Sequence, residues 1–303
     1  MKLSCILPTF NRLDLVIKCI DSLKKQDFKD FELLVIDDGS DEKTKAILSK
    51  IKGIKFFSSN HVGRSKARNF GLQKATGKFI FFAENDAIYS KNFLKDCLAH
   101  FDNSKVGGVI GKLEALNTES IWVKCRASEL NSRFESKKGY KPFSAWMYPT
   151  KLLKSLNGFD SSLDIGEDSD LANRVKEKGF ILEYEPKAVW KHFEPDTLLK
   201  VWKRFWFRGI EMPKYYKKNG LSKVVFLDLV AFLSLPAFFI NPFLLLIFVF
   251  YSLIQVLIRL DYFNFIEKKY WLHLLFWLFS TMVVSKFARL LGFPKLFFKG
   301  FSK

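Results

Sequence analysis

Between residues 2 and 112 the chain alternates apolar runs of strand length with segments of helical pattern, and no other feature constrains its fold as much. The runs 2–7, 31–36, 54–58, 77–83 and 106–112 read as strands. Helices are expected over 12–26, from about 41 to 52, and over 64–75 and 91–101. Runs that are apolar throughout belong to strands covered on both faces, and strand–helix alternation gives a parallel sheet. The expected fold class is therefore α/β, Rossmann-like, with a mainly parallel sheet covered by helices. In such sheets ligands bind beyond the carboxyl ends of the strands.

Three polar clusters fall at those ends: Pro8-Thr9-Phe10-Asn11-Arg12, Asp37-Asp38-Gly39-Ser40 and Glu84-Asn85-Asp86. The third follows the buried run Phe79-Ile80-Phe81-Phe82-Ala83, in a chain whose net charge is +18. Two carboxylates fixed at the end of a buried strand suit a hard divalent cation that keeps open positions for water and phosphate oxygens. The alternative is a solvated turn, because Asn and Asp are common turn residues. A second acidic group, Gly166-Glu167-Asp168-Ser169-Asp170, stands directly before a helix expected over 171–178. One acid there would cap the helix and offset its dipole. Three acids within four residues exceed what capping needs.

Composition changes near residue 220. Beyond Val224 come long Phe- and Leu-rich runs with few charges, and the expected division is an α/β domain of soluble composition over 1–220 and a helical membrane region over 221–303. Residues 224–240 and 243–258 are each close to the short limit for crossing a bilayer, with Asn241-Pro242 between them. A third apolar helix is expected over 270–291, interfacial or spanning. Basic residues precede the first run and follow the last, from Lys200 to Lys223 and from Lys286 to Lys303. Basic flanks mark the cytoplasmic side, so an even number of crossings is favoured. A two-span hairpin plus an interfacial helix meets this, as does one long kinked span plus the third run. The opening Met1-Lys2-Leu3-Ser4-Cys5-Ile6-Leu7-Pro8 is too short and strand-like for a secretory signal. The expected location is thus the cell membrane, multi-pass, with the first domain in the cytoplasm. Charge concentrated at the membrane edge points to anionic lipids and phosphorylated ligands as partners, not nucleic acid. The four cysteines show no metal or disulfide spacing and are expected as buried free thiols.

Taken in order, several segments resemble a family 2 glycosyltransferase of the GT-A fold over roughly residues 1–210. They are Ile6-Leu7-Pro8-Thr9-Phe10-Asn11-Arg12, Leu34-Val35-Ile36-Asp37-Asp38-Gly39-Ser40 and Asn60-His61-Val62-Gly63-Arg64-Ser65-Lys66-Ala67-Arg68-Asn69. Residues 77–86 resemble the strand that ends in the family's DxD motif, with Glu84 in place of the first acid. Asn157-Gly158-Phe159-Asp160 and the 166–170 group resemble the approach to, and the site of, its ED motif. The resemblance implies transfer of a sugar from a nucleotide-diphosphate-sugar, with inversion and a divalent Mn2+ or Mg2+. It implies Pro8, Thr9, Arg12, Asp38, Arg68 and Asn85 around the donor, and Asp86, Glu84 and His192 around the metal. Asp168, paired with Glu167, stands where the family has its general base. Arg204 and Arg208 fall where members place cations near donor phosphates or acceptor.

The acids of the ED type favour a hydroxyl acceptor on a lipid-linked or surface glycan, since a phosphate oxygen needs no strong base. A polyprenyl-phosphate glycosyl synthase is the alternative within the enzyme class. A non-catalytic membrane scaffold on a degenerate transferase domain is the alternative outside it. Dehydrogenase and P-loop readings fail because GxGxxG and GxxxxGK[ST] are missing. Residues 114–165, rich in Lys, Ser and aromatics, are expected to carry acceptor specificity.

Overall fold

The computed structural model describes residues 2–135, 140, 142–220, 250–251, 253–255 and 257–292. The described residues of 1–116 and 137–193 form one compact unit, and those of 117–136 and 194–303 form a second.

The first unit is built on an eight-stranded sheet in the order β3-β2-β1-β4-β7-β6-β8-β5. Its left half is the parallel arrangement anticipated from the apolar runs: β1 (Leu3–Thr9), β2 (Phe31–Asp37), β3 (Lys55–Ser58) and β4 (Phe79–Phe82). Both faces of β4 are buried, which is why it is apolar at every position. Helices α1 (Leu13–Lys24), α2 (Glu42–Leu48) and α3 (Arg64–Lys74) make the crossovers. The right half mixes directions. β6 (Val106–Ala115) is the fifth anticipated strand, while β5 (Ala87–Tyr89), β7 (Met147–Pro149) and β8 (Ile181–His192) were not anticipated. β7 runs antiparallel to β4, and β8 is parallel to β6 and antiparallel to β5. The sheet is covered by two apolar clusters. One centres on Leu7, Leu23, Phe81 and Trp190, the other on Ile6, Phe82, Tyr148 and Leu171. Further helices are α4 (Phe93–Ala99), α6 (Thr150–Ser155) and α7 (Glu167–Glu177). All four cysteines of the chain are free and buried.

Glu32, near the start of β2, is buried at 5% exposure. It accepts hydrogen bonds from Ser4 Oγ (2.5 Å), Thr76 N (2.8 Å), Thr76 Oγ1 (2.7 Å) and Lys55 Nζ (2.6 Å). Burial alone would raise its carboxyl, but the bonds from Lys55, Ser4 and Thr76 outweigh it and hold it at about 2. A depressed folded-state value stabilises the fold above the ordinary 4.5 and is lost as pH falls through about 2. Glu32→Gln should therefore lower the melting temperature at neutral pH and flatten its fall in acid, read by calorimetry from pH 7 downward.

The second unit packs α5 (Ile121–Glu135), α8 (Leu198–Asn219) and α9 (Trp271–Gly292) around Cys125, Val201, Leu274, Trp277 and Leu278. α8 and α9 approach closely at Gly209, where an added Cβ would lie 2.7 Å from Ala288 Cβ and also press on the Ser285 carbonyl. Gly209→Leu is expected to cost about 1–3 kcal/mol through overpacking, seen as a lower unfolding temperature. Among the described residues, one helix is long and apolar enough to cross a membrane: Lys268–Arg289, 22 residues with mean hydropathy 1.4. It coincides with the third apolar run. The hairpin expected over 224–258 lies outside the described residues except for its last positions, and a single such helix does not support a multi-pass topology.

Candidate active site

The site grows from three strand ends in the first unit. β4 stops at Ala83, whose N–H is taken by the Ile6 carbonyl at 2.8 Å, and the chain then turns through Glu84, Asn85 and Asp86. The Glu84 N–H donates to the Tyr89 hydroxyl at 2.8 Å, and Cys19 Sγ donates to the Glu84 carbonyl, so the turn is anchored beneath. β5 begins immediately afterwards and pairs Ala87 with His192, the last residue of β8. That register places the imidazole beside the two acids. Glu84, Asp86 and His192 each offer one ligand atom, all within 4.8 Å of one another.

His192 Nε2 lies 3.0 Å from Asp86 Oδ1 and 3.9 Å from Glu84 Oε2. Arg12, at the start of α1, forms an ion pair with the other Asp86 oxygen. Burial would raise the Asp86 carboxyl, but the hydrogen bond and charge of His192, joined by Arg12, bring it down to about 2. Two carboxylates and an imidazole at this spacing fit a divalent ion such as Mn2+, which accepts oxygen and nitrogen donors.

A second constellation adjoins the first. Arg68 on α3 is 1% exposed and donates to Glu167 Oε1 at 2.8 Å and Glu84 Oε1 at 3.1 Å. Its guanidinium stacks over Trp146 and Phe159, at 4.9 and 5.2 Å from their ring centres. A buried charge of this kind persists only when paired and hydrogen-bonded. Arg68 thereby ties the end of β4 to the first turn of α7. Arg64 is one turn earlier on the same helix, 3.8 Å from Glu167. Burial would lower its pKa, but the charges of Glu84, Glu167, Asp86 and Asp168 raise it instead.

α7 starts four residues before the expected position, so Glu167, Asp168 and Asp170 all fall in its first turn, after Gly166 at φ +82°. Their environments separate them. Asp170 is fully buried and pairs with Arg174 at 2.9 Å, while Arg174 also donates to the Leu156 and Gly158 carbonyls. That acid holds the 156–158 turn in place. Asp168 is partly exposed, and its Oδ1 accepts from the Ser169 N–H at 2.8 Å. Burial, and then the negative charge of Glu167, push its carboxyl up to about 6.

The remaining candidates occupy the β1–β2 end. Asp38 accepts from the Val62 and Gly63 N–H groups at 2.8 and 3.0 Å, and so shapes the loop before α3. Its neighbour Asp37 is internal, accepting from the Ser40 N–H and the Ser58 hydroxyl. Pro8 and Thr9 end β1, and Asn85 Nδ2 lies 3.5 Å from Thr9 Oγ1. Arg204 and Arg208 sit on α8 of the second unit, where Arg204 forms an ion pair with Glu194. Sequence reading did not single out Arg64, Tyr89 or Trp146. The spacing of Arg64 and Arg68, i and i+4, was the available signal that two cations share one helix face.

The family model described as Glycosyl transferase family 2 matches residues 4–152. That segment is thus similar to a family 2 glycosyltransferase domain. The chain is 32% identical over 128 residues to the poly(ribitol-phosphate) beta-N-acetylglucosaminyltransferase TarS of Staphylococcus aureus, spanning 40% of this chain and 22% of that protein. It is 41% identical over 91 residues to the GalNAc(5)-diNAcBac-PP-undecaprenol beta-1,3-glucosyltransferase of Campylobacter jejuni, spanning 28% of this chain and 29% of that one. The chain thus spans less than a third of the length of these curated relatives. Among solved structures it is similar to a mannosyltransferase from Pyrobaculum calidifontis in complex with GDP-Man and Mn2+. That likeness has a TM-score of 0.61 at 18% identity, over 94% of this chain and 86% of the other. The fold is the GT-A α/β fold.

Proposed function

We propose that this chain is a metal-dependent, inverting glycosyltransferase. Its donor is a nucleotide-diphosphate-sugar and its acceptor a hydroxyl of a lipid-linked or surface glycan. The observation that carries the reading is the convergence of Glu84, Asp86 and His192 at the end of β4, with Asp168 separately poised on α7. Glu84, Asp86 and His192 would hold Mn2+ or Mg2+, which when bound neutralises charge developing on a diphosphate leaving group. The Pyrobaculum structure, solved with Mn2+ and GDP-Man, supports a divalent metal and a nucleotide-diphosphate-sugar as the ligand classes.

The chain's own residues supply the rest. Asp38, Thr9, Pro8, Arg12 and Asn85 surround the nucleotide at the carboxyl ends of β1, β2 and β4, where a parallel sheet opens to ligands. Arg68 fixes Glu84 and Glu167 together and thereby positions both acidic groups. Asp168 takes the proton of the acceptor hydroxyl as its oxygen bonds to the anomeric carbon. The bond from that carbon to the diphosphate oxygen breaks in the same displacement, and its electron pair leaves with the nucleoside diphosphate. A carboxyl near 6 is a competent base at neutral pH, because it is ionised yet more basic than a solvated aspartate.

The acceptor class draws support from relatives named for undecaprenol-linked and poly(ribitol-phosphate) glycans. The apolar helix Lys268–Arg289 supports membrane attachment, with the transferase domain over 1–220 on the cytoplasmic face and 221–303 as the membrane region. Screening purified full-length protein against a panel of nucleotide sugars tests the proposal. One donor should be hydrolysed only when Mn2+ or Mg2+ is added. Failure to turn over or bind any nucleotide diphosphate would replace the enzyme with a scaffold.

A further inference from the structure

The two acidic constellations of the first unit are joined by cations, and those cations are not equally committed. Arg12 is held by Asp86, and Arg68 is 1% exposed and divided between Glu84 and Glu167. Arg64 differs from both. Its side chain is 55% exposed, and its ion-pair contact with Glu167 Oε1 spans 3.8 Å, beyond hydrogen-bond range. That same oxygen already accepts from Arg68 at 2.8 Å, so Glu167 does not depend on Arg64. Among the described residues the Arg64 guanidinium makes no hydrogen bond. Its planar fork of N–H groups is therefore open to a ligand.

The course of the side chain says which ligand. Arg64 follows directly on Gly63, whose N–H donates to Asp38 at 3.0 Å, at the nucleoside end of the cleft. Its guanidinium lies at the other end, beside Glu167 and within reach of the charges of Glu84, Asp86 and Asp168. In a nucleotide sugar the diphosphate covers the same interval, between the nucleoside and the anomeric carbon. The outer phosphate is bonded to that carbon and so lies nearer the acids of α7. Four carboxylates repel such an anion, and an exposed guanidinium among them offsets that repulsion. We propose that Arg64 binds the outer, sugar-bearing phosphate of the donor, exchanging its long contact with Glu167 for charge-assisted hydrogen bonds to phosphate oxygens. This rests on the donor reading above and assigns a further donor-binding residue within it.

Calorimetric titration of the full-length protein in Mn2+ with UDP, GDP, CDP, ADP and dTDP, each beside its monophosphate, tests the assignment. For any diphosphate that binds, Arg64→Gln should weaken binding about tenfold and leave the affinity for the monophosphate unchanged. Arg64→Lys keeps the charge but not the fork, and should fall between Arg64→Gln and wild type. Lys66→Gln, exposed on α3 two residues on and thus off the Arg64 face, should change neither. Equal loss of diphosphate and monophosphate affinity, or loss of neither, overturns the proposal and leaves the donor reading standing. So does a loss seen only with the matching nucleotide sugar, which would move Arg64 to the sugar. Wild-type protein that binds no diphosphate would overturn both.

Discussion

Asp86→Ala is expected to lower sugar transfer and donor hydrolysis by about 10³-fold or more, equivalent to roughly 4 kcal/mol of barrier. Asp86 is the member of the Glu84–Asp86–His192 group that touches the imidazole directly, at 3.0 Å, and its carboxyl is held ionised down to about 2. It thus offers a charged oxygen at every working pH. Glu84 divides its duty, with one oxygen on Arg68 at 3.1 Å and the other 3.9 Å from His192. Glu84→Ala should accordingly weaken activity without abolishing it, and should raise the Mn2+ concentration needed for half-maximal rate. Metal titrations of donor hydrolysis in both variants, with circular dichroism as the folding control, decide the point. Equal tolerance of both substitutions would remove the metal assignment.

Asp168→Asn is expected to reduce kcat by about 10²–10⁴-fold, or roughly 3–5 kcal/mol, while leaving the donor KM nearly unchanged. The carboxyl must be ionised to accept a proton, so kcat/KM of the wild type should climb with pH and level off above about 6. The amide variant should lose that limb. Its stability should move the other way. A carboxyl raised from 3.8 to about 6 in the folded state makes the fold progressively less stable as pH rises between those values. Asp168→Asn should therefore melt no lower than wild type at pH 7, which separates lost chemistry from lost folding. If polyprenyl phosphate itself proved the acceptor and Asp168→Asn left its glycosylation unchanged, the hydroxyl-acceptor proposal would fall. The polyprenyl-phosphate synthase reading would then take its place.

The strands that were legible in sequence are those buried on both faces. β1, β2 and β4 are apolar at nearly every position because helices cover both sides, and such runs stand out from their surroundings. β8 was not anticipated because its middle, Leu182-Glu183-Tyr184-Glu185-Pro186-Lys187, is largely half-buried or exposed and carries three charges. β5 and β7 are three residues each, too short for any period to show, and pair only because longer neighbours are already in place. The division of the chain into contact units was equally hidden. Residues 117–136 and 194–219 group with the C-terminal helices, although their composition matches that of the soluble domain.

The acidic clusters show the same boundary at the level of single side chains. Sequence alone determined which residue types stand at the strand ends, because a buried strand that stops at carboxylates is written into consecutive positions. It could not rank those carboxylates. Asp37 and Asp38 are adjacent, yet one is internal to the 40–58 turn network while the other shapes the loop before α3. Asp168 and Asp170 are two residues apart, yet Arg174 neutralises one and burial beside Glu167 makes the other basic. The Asp170–Arg174 pair is local to one helix, but the other differences depend on a partner distant in the chain or on desolvation. Both are set by which surfaces pack together, and so only the tertiary structure decides them.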